Sequence, residues 1–333
     1  MAPGILCGWW AIAMGRTVRP RNISIVLALA LALALTLAAA MDLAVAGASA
    51  PRAEARPLPG ATWTVTERRG ILWEVVRHCL RAALTRRGAG GAEGSDRPGA
   101  TGADDDVSRP NACARVDVDG GYVVLKDNSP AKPYAFLLLP TDRLTGIEDA
   151  RLWIVAGVNY WRAAYENWRY VEKVLKLPLL RTQVGFAANS IYGRTQDQLH
   201  IHITCIRPDV AATLAERIGT LSDKRWTWLP PMAGSSYAYR AILTDDAALA
   251  RTDPVRLLAR DVYPDGSMLP HTLFMAPVTL PDGRPGFAIL DSEAGQDVRH
   301  GQGTAASNRG ASEELLDDTC AIAKSGIADR SAN

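Results

Sequence analysis

The chain has 333 residues, 48% of them hydrophobic and 22% charged, with a formal net charge of +2. This is the composition of an ordinary globular protein, long enough for one large domain or two smaller ones. The charge shows no global basic bias, so it gives no indication of a nucleic-acid partner and we expect none.

An apolar run without charges, ISIVLALALALALTLAAAM, occupies residues 23–41. As a helix it would be about 28 Å long, close to the thickness of the hydrocarbon core of a bilayer. Arginines at positions 16, 19 and 21 precede the run, and the positive-inside rule keeps that end in the cytoplasm. The sequence therefore predicts one N-terminal membrane helix with the remainder of the chain exported.

The boundaries follow from this segment. We predict a cytoplasmic N-terminus over residues 1–22, a transmembrane signal-anchor or signal peptide over 23–46, and a linker over 47–69. Small residues in AVAGASAP, residues 44–51, offer two signal-peptidase sites. Retention as an anchor and removal as a signal peptide both stay open, and both export the following domain.

Four cysteines follow the membrane segment, namely Cys79, Cys113, Cys205 and Cys320. An even number in an oxidising compartment permits two disulfides, with three alternative pairings. We favour Cys79–Cys113, which closes one flanked loop, and Cys205–Cys320, which ties the tail to a histidine-bearing strand described below.

The first elements after the linker are a helix and an insertion. ILWEVVRHCL, residues 71–80, has helical apolar spacing and predicts the start of the fold. Residues 85–110 are rich in Gly, Ala, Asp and Ser, which predicts a flexible low-complexity insertion.

A hairpin and a long helix are predicted next. GYVVLKD at 121–127 and PYAFLLLP at 133–140 indicate two strands joined by the turn residues of NSPAK. Residues 148–176 carry an apolar and aromatic stripe that predicts one long helix. We interpret its tryptophans and tyrosines as core residues.

Further strands follow. QVGFAANS at 183–190 predicts a strand before the histidine strand, and PDVAATLAERIGTL at 208–221 a helix that begins at Pro208. Later residues add strands in WTWLPPMAGSSYAYRAIL and PGFAILDS, a polar loop over 293–312 and a terminal helix in SEELLDDTCAIA. This order predicts an α+β fold with an antiparallel meander sheet.

Two histidines one residue apart distinguish the stretch TQDQLHIHITCIRPDV, residues 195–210. Leu199, Ile201 and Ile203 alternate with His200 and His202, which is the period of a strand. Positions i and i+2 of a strand face the same side, about 7 Å apart. Both imidazoles are therefore expected to point into one space.

Polar residues precede the histidines along the chain. Neutral hydrogen-bonding groups, one fixed cation and a glycine suit an anion such as a phosphate ester or anhydride. The predicted substrate-binding residues are Asn189, Ser190, Arg194, Thr195, Gln196 and Gln198.

Three interpretations of the histidine pair stay open. In the first, His200 attacks phosphorus while His202 and Arg194 stabilise charge on the oxygens. In the second, the pair is half of a metal site completed by His78 or His271 and a carboxylate. In the third, both histidines are structural. The spacing of the two histidines favours phosphorus chemistry, and no other residue stands at a sequence spacing that identifies it as a third metal ligand.

The block NSIYGRTQDQLHIHITCIRPDV resembles the histidine-triad (HIT) superfamily of nucleotidyl hydrolases and transferases. With GYVVLKD and FLLLPTDRLTGIE upstream, it is similar to the bacterial CDP-diacylglycerol pyrophosphatase family. The resemblance covers residues 70–245 well and the tail loosely. It implies an HIT-like hydrolase domain over residues 70–325 that cleaves CDP-diacylglycerol to CMP and phosphatidate without a cofactor or an obligatory metal.

The triad pattern places the nucleophile at His200 and the third histidine at His202. Thr195 matches a position that contacts phosphate, and Asn189 matches an asparagine on the preceding strand. The first triad position is Gln198 in this chain. Glutamine cannot titrate near neutral pH, which puts a role in protonating the leaving group in doubt.

The resemblance also implies a location and partners. The expected location is the bacterial inner membrane, crossed once, with the catalytic domain in the periplasm. The expected partners are CDP-diacylglycerol, water and the membrane itself. Two alternatives stay open, an exported hydrolase of another nucleotide diphosphate compound and a non-catalytic nucleotide- or lipid-binding module.

Overall fold

The computed structural model describes residues 67–88, 106–154, 157–263, 266–293 and 311–324. The predicted cytoplasmic and membrane segments, nearly all of the linker, and most of the insertion lie outside these residues. In the described ranges no helix combines the length and the apolar character needed to cross a membrane.

Seven α-helices are described in these ranges. They are α1 (Ile71–Gly88), α2 (Arg151–Ile154), α3 (Tyr160–Glu166), α4 (Arg169–Leu175), α5 (Pro208–Arg217), α6 (Asp246–Arg251) and α7 (Pro254–Val262). Short 3₁₀ turns cover Glu67–Gly70, Arg181–Gln183, Ile218–Thr220 and Ser312–Leu315. Proline opens α5 and α7, where its missing N–H removes no helical hydrogen bond.

Ten strands in the described ranges form one sheet. They are β1 (Cys113–Asp117), β2 (Tyr122–Lys126), β3 (Phe136–Pro140), β4 (Val184–Ala188), β5 (Ile201–Ile206), β6 (Thr227–Trp228), β7 (Arg240–Asp245), β8 (His271–Thr279), β9 (Pro285–Glu293) and β10 (Leu316–Asp317). The order is β1-β2-β3-β5-β4-β8-β9-β7-β6, with antiparallel pairing between neighbours. The predicted mixed fold with a large antiparallel sheet is confirmed, although β5 inserts between β3 and β4 and so interrupts a simple meander.

Different helices pack on the two faces of the sheet. One face packs on α3 and α4. Trp161 of α3 and Trp168, the residue that precedes α4, are buried there. These aromatics are core residues, as predicted. On the other face, α1 covers β1 to β3 and α5 covers the region around β4 and β8.

The histidines occupy the second face, between its two covers. His202 pairs in register with Leu137 of β3 and with Ala187 of β4. Leu137 packs in the cluster under α1, and Ala187 packs in the cluster under α5. Since cross-strand partners share a face, His202 lies at the junction of the two covers.

The predicted long helix over 148–176 is wrong. The Asn159 side chain accepts a hydrogen bond from Arg162 N at 3.0 Å and so begins a separate helix, α3. Asn167 ends it, donating from Nδ2 to Ala163 O at 2.8 Å and from its backbone N–H to Ala164 O at 3.1 Å. Asparagine side chains compete with helical backbone bonds in this way, so three short helices replace one long one.

The predicted terminal helix in SEELLDDTCAIA is also wrong for most of its length. Leu316 and Asp317 form β10, which pairs with Ile206 and Cys205 at the end of β5. Only residues 321–324 form a helical turn after it. A further correction concerns the insertion, because α1 continues to Gly88 and residues 85–88 belong to the helix.

The disulfides join the pairs that the sequence favoured. Cys79 of α1 is bonded to Cys113 of β1, with Cα atoms 5.9 Å apart. Cys205 of β5 is bonded to Cys320, with Cα atoms 5.1 Å apart. The second bond fixes the segment over 311–320 beside the histidine strand.

Candidate active site

The two imidazoles meet as the strand period predicts. Their ring centroids lie 5.0 Å apart, with an angle of 71° between the planes. His200 is 8% exposed and His202 is 6% exposed. The pair is thus nearly enclosed by protein.

One contact defines the protonation of His200. Its Nδ1 lies 2.7 Å from the backbone carbonyl oxygen of Gln198. A carbonyl oxygen can only accept, so Nδ1 carries the hydrogen and Nε2 of the neutral ring keeps its lone pair. Burial lowers the pKa of His200 below its usual value and favours this neutral form.

Burial acts more strongly on His202. It lowers the pKa of His202 to about 3, against the opposing attraction of the Glu313 carboxylate. His202 Nε2 is buried without a hydrogen-bond partner in the described part of the chain and lies 3.6 Å from Glu313 Oε2. Both imidazoles are therefore neutral at physiological pH.

A carboxylate and an ammonium group border the histidines. Lys132 Nζ donates to Glu313 Oε1, and Asn189 Nδ2 donates to Glu313 Oε2 at 2.8 Å. Burial alone would raise the pKa of Glu313, but the Lys132 ammonium and the hydrogen bonds from Lys132 and Asn189 hold it well below its usual range. Glu313 is accordingly an ionised, largely buried carboxylate.

Hydroxyl groups support Asn189 from behind. Ser312 Oγ donates to Asn189 Oδ1 at 3.0 Å, and Thr272 Oγ1 lies 2.7 Å from Ser312 Oγ. All three residues are buried. This chain of hydrogen bonds orients the Asn189 amide, so that its Nδ2 faces Glu313.

Arg194 makes contacts other than those expected of a phosphate-binding cation. Its Nη1 and Nη2 donate to Glu148 at 2.8 and 2.7 Å, and its Nε donates to Asp197 at 3.3 Å. Arg69 donates twice to Asp197 from the other side, at 2.7 Å each. The carboxylates of Glu148 and Asp197 therefore neutralise Arg194, which lies in the turn that leads to β5.

The remaining predicted residues are dispersed along this turn. Gln198 Nε2 donates to the carbonyls of Pro140 and Asp142 at 3.1 and 2.9 Å, which fixes the start of the histidine segment. Gln196 Oε1 accepts from Leu72 N at the beginning of α1. Thr195 is exposed, and Ser190 is buried with its carbonyl accepting from the backbone of residues 193 and 194.

The two histidines offered as additional metal ligands lie elsewhere. His78 is exposed on α1. His271 Nδ1 lies at hydrogen-bond distance, 2.8 Å, from Asp291 Oδ1. The residue shares its sheet face with Leu273, which packs in the cluster on the opposite face from His200 and His202. Within the described residues no three His, Cys, Asp or Glu side chains are arranged to hold a metal ion.

Sequence reasoning missed Lys132, Glu313, Ser312 and Thr272. Lys132 lies in the hairpin turn NSPAK, and Glu313 lies in a segment whose spacing suggested an ordinary terminal helix. The one available signal was the Cys205–Cys320 pairing, which brings the tail to the histidine strand. That signal gives proximity but does not say which tail residue enters the site.

Comparison with known proteins identifies the family of this chain. A family model described as CDP-diacylglycerol pyrophosphatase matches residues 101–324, a span that includes both histidines, Lys132 and Glu313. A Yersinia pestis protein named CDP-diacylglycerol pyrophosphatase is 33% identical over 214 residues, covering 64% of this chain and 77% of the relative. The chain therefore belongs to the CDP-diacylglycerol pyrophosphatase family of hydrolases.

Proposed function

We propose that this protein hydrolyses CDP-diacylglycerol to CMP and phosphatidate through a cytidylyl-histidine intermediate on His200. The observation that supports this best is the 2.7 Å contact between His200 Nδ1 and Gln198 O. It leaves the Nε2 lone pair unprotonated and fixes the ring plane, which are the two requirements for a histidine nucleophile.

In the first displacement, Nε2 attacks the phosphorus on the cytidine side. An N–P bond forms, the bond from phosphorus to the bridging oxygen breaks, and its electron pair leaves with phosphatidate. Phosphatidate is a phosphate monoester and a good leaving group. A good leaving group needs little help from an acid. This explains why Gln198, whose side chain does not titrate, can occupy the first position of the motif.

In the second displacement, water attacks the same phosphorus. The new O–P bond forms, the P–Nε2 bond breaks, and the proton of water is released as CMP departs. The Gln198 carbonyl accepts from Nδ1–H throughout and so stabilises the cationic imidazole of the intermediate. In this mechanism His202 and Thr195 steady the phosphoryl oxygens, while Arg194 holds the turn.

We also propose an HIT-like classification for the domain and a periplasmic location on a single inner-membrane anchor. The apolar run over 23–41 and the two disulfides support export. An anchored domain meets a substrate whose acyl chains stay in the bilayer. Fusion of alkaline phosphatase after residue 333 tests the orientation, because periplasmic export gives active fusion protein and cytoplasmic retention gives inactive protein.

The deciding experiment measures CMP release from CDP-diacylglycerol by the full chain in detergent with a chelator. His200→Ala is compared with His78→Ala, which removes an exposed histidine on α1. We expect CMP from the parent and from His78→Ala and none above background from His200→Ala. Equal release by all three proteins would refute the nucleophilic role.

The intermediate is tested separately. Substrate labelled at the cytidine-side phosphorus is mixed with enzyme and quenched in alkali, where phosphohistidine bonds survive. Label on a peptide containing His200 supports two displacements. Turnover without label, together with inversion at a chiral phosphorus, would show direct attack by water. Absence of CMP from the parent itself would favour another nucleotide substrate or a binding role.

A further inference from the structure

The ion pair between Lys132 and Glu313 lies outside the histidine motif and contacts its residues. The two residues are 181 positions apart in the chain, and their side chains are 21% (Lys132) and 17% (Glu313) exposed. Glu313 also accepts from Asn189 and lies 3.6 Å from His202 Nε2. The pair is thus held against the reactive imidazoles in a weakly hydrated setting.

The charge balance of the site requires a cation for the substrate. CDP-diacylglycerol presents a negatively charged diphosphate, whereas both imidazoles are neutral and Glu313 is negative. Arg194 is neutralised by Glu148 and Asp197. Lys132 Nζ is hydrogen-bonded to Glu313, whose Oε2 lies 3.6 Å from His202 Nε2, so its ammonium group is a cation beside the histidine pair.

We propose that Lys132 binds the phosphate of the substrate by exchanging its contact with Glu313, and that Glu313 is the positioning residue for His202. This inference deepens the proposed function and rests on it. An ammonium group has three donors, so Lys132 can bridge carboxylate and phosphate while the exchange takes place. Glu313 keeps its hydrogen bond from Asn189 and is not left unpaired.

The orphaned nitrogen of His202 supports the second half of the proposal. Its Nε2 has no partner among the described residues, and 3.6 Å is too long for a hydrogen bond to Glu313. While Lys132 occupies Oε1, the carboxylate is only partly available. When Lys132 moves to the phosphate, Glu313 can accept from Nε2–H and hold the His202 ring in place beside His200.

The roles proposed for Lys132 and Glu313 predict different effects on CMP binding. Lys132→Gln should weaken CMP binding at least 10-fold in titration calorimetry and leave cytidine binding unchanged, because only CMP carries the phosphate. Glu313→Gln removes the competitor for Lys132, so CMP binding should stay as tight or tighten while kcat falls at least 10-fold. Lys132→Arg should recover most of the affinity for CMP.

Matched controls are Lys173→Gln on α4 and Glu166→Gln on α3, which remove the same charges from helices on the opposite sheet face. A purely structural ion pair would lower the melting temperature and reduce kcat and affinity together in both site variants. That common loss would overturn the proposal, as would unchanged CMP affinity in Lys132→Gln.

A double variant guards against unfolding of the single ones. Lys132→Gln with Glu313→Gln removes both buried charges at once, and we expect the weak CMP binding of the first with the slow turnover of the second. Parental affinity in the double variant would refute the role of Lys132. Failure of the proposed function is separable, since it would appear as absence of CMP release by the parent protein.

Discussion

Gly146 lies directly against the side chain of Arg194. A Cβ atom at position 146 would be 2.9 Å from Arg194 Cζ and closer still to Nη1 and to the Glu148 carboxylate. The absence of a side chain there lets the guanidinium reach Glu148 through two hydrogen bonds. The turn before the histidine strand thus depends on a residue that carries no functional group.

Gly146→Ala should therefore destabilise the fold by about 3 kcal/mol, because the methyl group displaces a buried ion pair. Denaturant unfolding of the full chain in detergent measures this loss. Gly219→Ala is the matched control, since a Cβ there meets nothing within 4 Å. Equal stability of the two variants would show that the ion pair relocates without cost.

Sequence reasoning succeeds where a local pattern determines the structure. The alternation around His200 and His202 predicted a shared face because strand period alone determines it. The hairpin of β2 and β3 and the cysteine pairing were likewise predicted correctly. Each of these inferences depends on a local pattern or on a small number of alternatives.

The role of Arg194 could not be predicted in the same way. A cation beside two histidines suggests phosphate binding, but Glu148, 46 residues earlier, neutralises it. The long helix failed because side-chain caps at Asn159 and Asn167 outweigh an apolar stripe. Glu313 could not be predicted because tertiary contacts, the pairing of β10 with β5 and the Cys205–Cys320 disulfide, bring the tail to the site. Lys132 lies in a hairpin turn, where the sequence gives no sign that it meets the tail.

The two disulfides should differ in their effect on catalysis. Replacing Cys205 and Cys320 by alanine opens a loop of 115 residues, and replacing Cys79 and Cys113 opens one of 34. Chain entropy predicts losses of about 5 and about 4 kcal/mol in unfolding free energy. Only the Cys205–Cys320 disulfide of these two holds the segment that carries Glu313.

We therefore expect kcat for CMP release to fall at least 5-fold in the Cys205/Cys320 variant and less than 2-fold in the Cys79/Cys113 variant. Both are assayed well below their melting temperatures. A comparable fall in both variants would mean that the tail stays in place through β10 alone.

The pH dependence of kcat/KM should reflect the burial of His200. Because its pKa is lowered, the neutral nucleophile persists as pH falls through 6.5, so the acidic limb should lie below the value of a free imidazole. The charged groups acting on it are Glu313, which raises the pKa, and Arg194 and Lys132, which lower it. Glu313→Gln should shift the limb to lower pH and Lys132→Gln to higher pH.

Initial rates from pH 4.5 to 8, with circular dichroism at each pH to confirm folding, measure these shifts. Lys173→Gln is the control and should leave the limb unchanged. A limb at or above pH 6.5 in the parent would contradict a neutral, buried nucleophile. Shifts of the two site variants in one direction would contradict the assigned electrostatics.

The Gln198 side chain should be required for stability as a hydrogen-bond donor. Its Nε2 serves the carbonyls of Pro140 and Asp142, so Gln198→Glu replaces the amide by an oxygen that faces two acceptors. We expect a loss of about 3 kcal/mol in unfolding free energy at pH 7, since a buried group is left unpaired or charged. The loss should shrink as pH falls and the new carboxyl group protonates, because a protonated carboxyl can donate to one carbonyl.

Gln196→Glu is the appropriate comparison, because Gln196 Oε1 accepts from Leu72 N and a carboxylate preserves that acceptor. It should change stability by less than about 1 kcal/mol. If Gln198→Glu were as stable as Gln196→Glu at pH 7, the two carbonyls would not depend on the amide. The Gln198 carbonyl that binds His200 Nδ1 would then be held in place without the side-chain amide.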